Sequence, residues 1–447
     1  MEAGTMYSGG GTAPVRRRVL AGAGGALAGL LAACGVGGEA GPGGPGGTAS
    51  ALQGTASYMS VSSGTRAEQY RQLAERFKER HPKASVEILT PGPGENLNAK
   101  VIAMAAGGTP PETMFMAGYS LVEFAERGSV VPLDALVARD KLDLKRFFDK
   151  TVELARWSVG GKQRLFAIPL HPNPAVLFYN KDLFARRGVR PPDATWTWDT
   201  LLDTARRLAG EEESAVEAPY AAIPLWMTVR SMGGDILDRD WKQYTLDQAP
   251  GVAAIQWIAD LALRHRVALP PKEAAARPFT QGRVGLKWDI FPTIDAITVA
   301  TKGQLGFDVA PVPKGPRGRV NRNVIGAYSL LKGAPNEALG WEWIKFNSTR
   351  EAHLFMGSGG GVFPALKEAA RSPEFLSPPP PTPQVNRKVF VDALEQDDLV
   401  QDPYIPAFGQ IQTLVTGALE PVWAGTKDAR SALQEVAPQV NALLGGR

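Results

Sequence analysis

Beyond Ser50 the apolar positions switch repeatedly between a two-residue and a helical rhythm. Residues 56–61 read as a short strand, followed by the polar turn Ser62-Ser63-Gly64-Thr65. From 66 to 80 the apolar residues Tyr70, Leu73 and Phe77 fall at i, i+3 and i+7, one face of a helix. Pro82 stops it, because the residue before a proline avoids the α region. Residues 85–89 read as a second strand, 98–106 as a second helix closed by Gly107-Gly108-Thr109-Pro110-Pro111, and 113–116 as a third strand. Strands alternating with helices of this length predict βαβ units and a parallel sheet, hence an α/β fold. Such sheets bind ligands beyond the carboxyl ends of their strands. Ser62, Ser63, Ala117, Gly118 and Tyr119 are therefore expected on a ligand-facing rim.

The same reading continues between 160 and 208. Gly160-Gly161 predicts a turn, 165–169 and 176–181 two strands, and 182–188 a short helix closed by Gly188. Thr197 is placed to cap the next helix, with Leu201 and Leu208 among its apolar positions. Residues 411–444 read as two helices around Glu420-Pro421-Val422-Trp423. The run Pro-Pro-Pro-Pro-Thr-Pro at 378–383 predicts a stiff extended spacer rather than a recognition motif.

Composition narrows the function. The 447 residues suffice for two to four domains, and 44% hydrophobic with 21% charged is the balance of a folded protein. A net charge of +4 without a dense basic run past the N-terminus excludes a nucleic-acid binder built on phosphate neutralisation. One cysteine excludes an internal disulfide framework and a cysteine zinc cluster, and the four histidines show no metal spacing. No metal and no cofactor is expected.

The N-terminus carries separate information. Arg16-Arg17-Arg18 precede the uncharged, Ala-, Gly- and Leu-rich residues 19–33. As a helix these would reach only ~22 Å, short of the ~30 Å of bilayer hydrocarbon, which points to a signal peptide over 1–33. Leu31-Ala32-Ala33-Cys34 resembles a bacterial lipobox, with Cys34 as the lipid-bearing residue after cleavage. The arginines resemble the twin-arginine export motif, and a Sec signal can carry them too. Residues 35–50 hold eight glycines and two prolines, so 34–55 reads as lipidated cysteine plus flexible tether.

The motifs, taken in order, carry a resemblance. Gly161-Lys162 leading to Ala167-Ile168-Pro169, then Phe178-Tyr179-Asn180-Lys181-Asp182-Leu183-Phe184, Pro191-Pro192 and Thr195-Trp196 are similar to extracellular solute-binding protein family 1 of bacterial ABC importers, the maltose and oligosaccharide binders. Glu75-Arg76-Phe77-Lys78 before His81-Pro82, and 107–112 with Glu112 where the family usually has Asp, resemble it further. So do Gly233-Gly234, the run 279–286, Pro311-Val312-Pro313, 335–338 and 343–346. The resemblance implies an α/β, two-lobe periplasmic-binding-protein-like (type II) fold with hinge crossings and C-terminal helices. It places crossings near 167–170, 325–328 and 359–363. Lobe 1 would be 56–167 plus 327–358, and lobe 2 would be 170–324 plus 362–447. Gly357, Gly359, Gly360 and Gly361 would supply hinge freedom.

It further implies a carbohydrate ligand, mono- or oligosaccharide, captured outside the membrane and delivered to ABC permease subunits. The protein would be a monomer, lipid-anchored to the outer face of the cytoplasmic membrane. Sugars present apolar faces to aromatic rings and hydroxyls to polar side chains. Trp226, Trp288, Tyr119 and Tyr328 are the aromatic candidates; His171, Asp235 and Asp289 are the polar ones, beside Ser62 and Ser63. Trp196, Trp341 and Trp343 read as packing residues, and Arg66 and Arg230 as surface charges that an anion could use. Another polar solute, such as a glycerol-phosphate diester or polyol, remains the alternative ligand.

Two other classes compete. A glycosidase needs two carboxylates ~5–9.5 Å apart, and 45 acidic residues leave that pair open. No Gly-x-Ser-x-Gly elbow, His-Glu-x-x-His or phosphate loop is present, so no enzyme is expected. A tethered protein-interaction lipoprotein without a small ligand is the other alternative.

Overall fold

The computed structural model describes residues 52–60, 65–92, 94–380 and 382–445. The chain divides into Met1–Leu52 and Gln53–Arg447, and every element below belongs to the second unit. The expected signal, Cys34 and most of the tether lie outside the described residues.

The strands are β1 Gly54–Met59, β2 Ala84–Leu89, β3 Thr113–Ala117, β4 Arg156–Val159, β5 Lys162–Leu165, β6 Ile168–Pro172 and β7 Ala175–Asn180. They continue with β8 Ser214–Val216, β9 Val284–Ile290, β10 Phe307–Ala310, β11 Val320–Asn323, β12 Ile325–Leu330 and β13 Asp398–Gln401. Two sheets carry the fold, in the orders β2-β1-β3-β12-β6 and β10-β7-β9-β8. In the first, β1 pairs parallel with β2 and β3, as the βαβ pattern predicts, and β12 runs antiparallel to β3 and β6. In the second, β7 is antiparallel to β9 and β10. β6, β7 and β12 are buried at every position, which is why they read as continuous apolar runs.

The local readings hold where the signal is local. The helix Thr65–Arg80 buries Tyr70, Leu73 and Phe77, the predicted face. Thr197 caps Trp198–Leu208 by accepting from the Thr200 amide. Gly160 and Gly161 sit at φ 57° and 74°, the positive angles that a two-residue hairpin turn between β4 and β5 requires. Elsewhere the structure differs. The strand expected over 165–169 is split, since Leu165 ends β5 and Ile168 starts β6. Pro421 lies inside the helix Phe408–Trp423, so the break comes after Trp423, before Ala429–Gly445.

Sheet membership also locates the passages between the halves. Residues 168–172 stay in the first sheet, so the chain leaves it at Asn173-Pro174, beyond the expected 167–170. It returns at Val324, between β11 and β12.

Each half has its own core. Behind the first sheet, Tyr58 lies 4.9 Å from Tyr70 and 5.3 Å from Tyr328, and Phe77 stands edge-on to Trp343. The second half packs several clusters; one joins the helices Ala222–Ser231 and Ala249–Leu263 to the two C-terminal helices. Gly234 permits that packing, because a Cβ there would come within 2.8 Å of Gly251 Cα. Among the described residues no helix is long and apolar enough to cross a membrane.

Asp397, just before β13, is buried beside Asn321, whose Nδ2 donates to its Oδ2 at 3.0 Å. Burial pushes its carboxyl up to about 6. The unfolded carboxyl sits near ~3.9, so the folded state binds more protons between these values and stability falls as pH rises through the window. Asp397→Asn should therefore raise the melting temperature at about pH 7.5, with the gain disappearing by about pH 4. Melts at the two pH values check this; an equal gain at both would contradict it.

Candidate functional site

One edge of the first sheet gathers the carboxyl ends of β1 and β3, the start of β12 and the end of β6. Register fixes this: Gly326 pairs with Ala117 on one side and His171 on the other. From this edge the chain crosses at Asn173-Pro174 to β7, whose first residue, Ala175, pairs with Ile290 at the end of β9. The crossing edge is thus shared by both sheets.

His171 is only 4% exposed. Its ring stacks on Phe115 with centroids 5.7 Å apart and planes at 24°. Asn173 Nδ2 lies 3.0 Å from His171 Nδ1. Burial, with Arg66 adding to it, pushes the imidazole down to about 3, so the ring is neutral at ordinary pH. An amide NH2 only donates, so Nδ1 accepts and Nε2 carries the hydrogen. Among the described residues neither Nε2 of His171 nor Oδ1 of Asn173 has a hydrogen-bond partner. One is a donor and the other an acceptor, both buried, and an unmet buried group costs ~1–3 kcal/mol. Gly326 makes room for the stack: a Cβ there would lie 2.5 Å from Phe115 Cε2 and 2.6 Å from His171 Nε2.

Three further contacts border this edge. Arg66 Nη2 donates to the Gly361 carbonyl at 2.6 Å, tying the first helix to the expected glycine hinge. Asp295, in the helix Thr293–Thr301, is raised by burial and held back by Arg66. At the end of the second sheet, Lys287 Nζ bridges Glu217 and Asp289, the latter at 3.3 Å.

The remaining candidates scatter. Ser62 and Ser63 lie outside the described residues. Tyr119 is the second residue of the helix Gly118–Glu126, directly after β3. Asp289 stands at the crossing edge, its Oδ1 accepting from the Ile290 amide at 2.9 Å. Trp288 is buried, stacks on Trp198 at 5.8 Å, and leaves Nε1 without a partner among the described residues. Tyr328 needs correcting. It is buried in the first core and its hydroxyl donates to Asn347 Oδ1 at 3.0 Å, so neither ring nor hydroxyl is offered to a ligand. Trp226 is 2% exposed, within the helix Ala222–Ser231 rather than at a strand end, and its cluster gives it packing work. Asp235 is spent on Arg230, which is no surface charge: it is 3% exposed, 3.2 Å from Asp235 and 2.9 Å from Asp402. Trp196, Trp341 and Trp343 are buried, as read. Sequence reasoning missed Phe115, Asn173, Glu217 and Lys287; the prolines on both sides of Asn173 were the available signal. No group of three metal-ligating side chains occurs among the described residues.

Two α/β halves joined by chain passages along one edge make a two-lobe architecture. Residues 62–353 match the bacterial extracellular solute-binding proteins, and the chain belongs to that family. It is 22% identical to a binding protein of Brucella abortus over 367 residues, 79% of this chain and 84% of that protein. It is 25% identical over 200 residues to an arabinooligosaccharide-binding protein of Bacillus subtilis, covering 43% and 44%. In fold it is similar to an ABC substrate-binding protein of Listeria monocytogenes in complex with cycloalternan. The TM-score there is 0.77 at 19% identity, with 88% of this chain and 100% of that one covered.

The packing of Trp226 has a measurable consequence. Trp226→Ala should cost ~3–5 kcal/mol of folding stability. Denaturant unfolding reads the loss, and a nearly unchanged midpoint would return Trp226 to the ligand site.

Proposed function

We propose that the protein captures a carbohydrate, a mono- or oligosaccharide, between its lobes outside the membrane and delivers it to the permease of an ABC importer. The single observation that carries this is the His171 Nε2 and Asn173 Oδ1 pair. Sugar hydroxyls both accept and donate, so a sugar supplies partners for a bare N–H and for a bare carbonyl. The neighbouring Lys287–Glu217–Asp289 cluster offers further polar partners from the second sheet. The oligosaccharide ligands named for the Bacillus and Listeria proteins support the same class. The protein binds and releases without chemistry, acting as a monomer with no cofactor.

With the passages at 173–174 and 324, lobe 1 comprises 53–172 plus 325–358, and lobe 2 comprises 175–323 plus 362–445. A lipid on Cys34 holds the protein at the outer face of the cytoplasmic membrane, and the tether ends by residue 52, since Gly54 and Thr55, expected in it, belong to β1. Cys34→Ser should release the protein from the membrane fraction with unchanged solute affinity; membrane retention of that variant would contradict the anchor.

Binding is tested by a thermal-shift panel of monosaccharides, maltose, arabino-oligosaccharides and glycerophosphocholine. A ligand at a hundredfold excess over Kd adds ~2.7 kcal/mol to the folded state. A sugar should raise the melting temperature, and His171→Ala should weaken its calorimetric affinity by ~10- to 100-fold, the worth of one lost buried hydrogen bond. Because the His171 ring stays neutral far below its ordinary value, wild-type affinity should be flat from about pH 5 to about pH 8. Stabilisation by glycerophosphocholine and by no sugar would overturn the carbohydrate reading.

A further inference from the structure

The segment between β13 and the helix Phe408–Trp423 belongs to the second half by its packing. β13 pairs with β11, and the helix buries Phe408, Ile411, Val415 and Leu419 in the cluster of the second-half helices. Yet Tyr404, midway along that segment, reaches the first sheet. Its hydroxyl occupies the space where a side chain at Gly118 would begin: a Cβ there would overlap the hydroxyl and lie 3.0 Å from Cζ. Gly118 opens the helix that follows β3, beside Ile325 at the start of β12. Tyr404 is 5% exposed, so the contact is close on more than one side.

The segment is also braced. Asp402, two residues before Tyr404, receives Arg230 Nη1 at 2.9 Å on one oxygen and Arg322 Nη2 at 2.9 Å on the other. The two guanidiniums outweigh the burial of the carboxyl and hold it at about 2, so it is ionised wherever the protein is folded at ordinary pH. Arg230 comes from the helix Ala222–Ser231 and Arg322 from β11, so two elements pin the base of the segment. Pro403 fixes a backbone angle between the pinned residue and Tyr404.

We propose that Tyr404 latches the two lobes together: the second lobe carries it onto Gly118 at the end of β3, and the Arg230–Asp402–Arg322 cluster aims it there. A glycine at 118 is then demanded by the opposite lobe rather than by its own backbone. The contact lies one residue beyond Ala117, which pairs with Gly326 beside His171. The inference rests on the two-lobe capture reading. Its test uses no solute, so its failure and the failure of the ligand panel are distinguishable.

The test is hydrogen-exchange mass spectrometry on the full chain, comparing wild type with Tyr404→Ala, Gly118→Ala and Asp402→Asn. Tyr404→Ala should speed exchange of amides 117–120 by ~10-fold while β2 is unchanged, because removing a contact lowers the local opening free energy. Gly118→Ala should do the reciprocal, speeding 400–406 in the other lobe. Asp402→Asn should reproduce the Tyr404→Ala pattern at 117–120. Should Asp402→Asn unfold, Tyr404→Phe, which removes only the touching hydroxyl, takes its place and should give a smaller change of the same sign. Changes confined to 398–408 for Tyr404→Ala, or to 113–122 for Gly118→Ala, would make both residues ordinary packing within their own lobes and overturn the proposal.

Discussion

A neutral, buried histidine with a hydrogen to give and nothing among the described residues to receive it is the constraint on which the rest of the structure turns. Burying a polar group without a partner opposes folding, so such a group persists only where the surrounding fold holds it in place. Here the surroundings are specific. Phe115 stacks on the ring, Asn173 fixes its tautomer, and Gly326 gives up its side chain so that the stack can form. These residues come from β3, β6, β12 and the passage out of β6, so the strand order of the first sheet assembles the site and no single segment contains it.

The charges serve a different end. Arg230, Arg322, Asp235 and Asp402 neutralise one another in the second half. A buried ion pair of this kind adds little net stability over apolar packing, but losing one partner is costly. Its value is geometric: it fixes where the segment after β13 sits relative to the first sheet. Polar groups that are already paired leave no capacity for an anion, whereas the His171–Asn173 pair suits a neutral hydroxylated solute.

How much was readable in the sequence follows from the range of each interaction. The helix with Tyr70, Leu73 and Phe77, the Thr197 cap and the Gly160-Gly161 turn are set within a few residues, and period and turn chemistry revealed them. The α/β alternation gave the fold class, and His171 stood out by its place next to a crossing. The aromatics were a different matter. Whether Trp226 is a platform or core depends on the C-terminal helices that close its cluster. Tyr328 looked available until Asn347 was seen to take its hydroxyl. Arg230 looked like a surface charge because its partner Asp402 lies far along the chain. Local pattern reports burial tendency, but the partner that satisfies or covers a side chain is a property of the tertiary fold.

The most direct measurement is a crystal structure with the captured sugar, obtained from whichever compound stabilises the protein. The account predicts a sugar hydroxyl at hydrogen-bonding distance, ~2.7–3.2 Å, from His171 Nε2, with Asn173 Oδ1 accepting from the same solute and both sheets contributing contacts. A sugar bound elsewhere, with His171 Nε2 and Asn173 Oδ1 still bare, would contradict it.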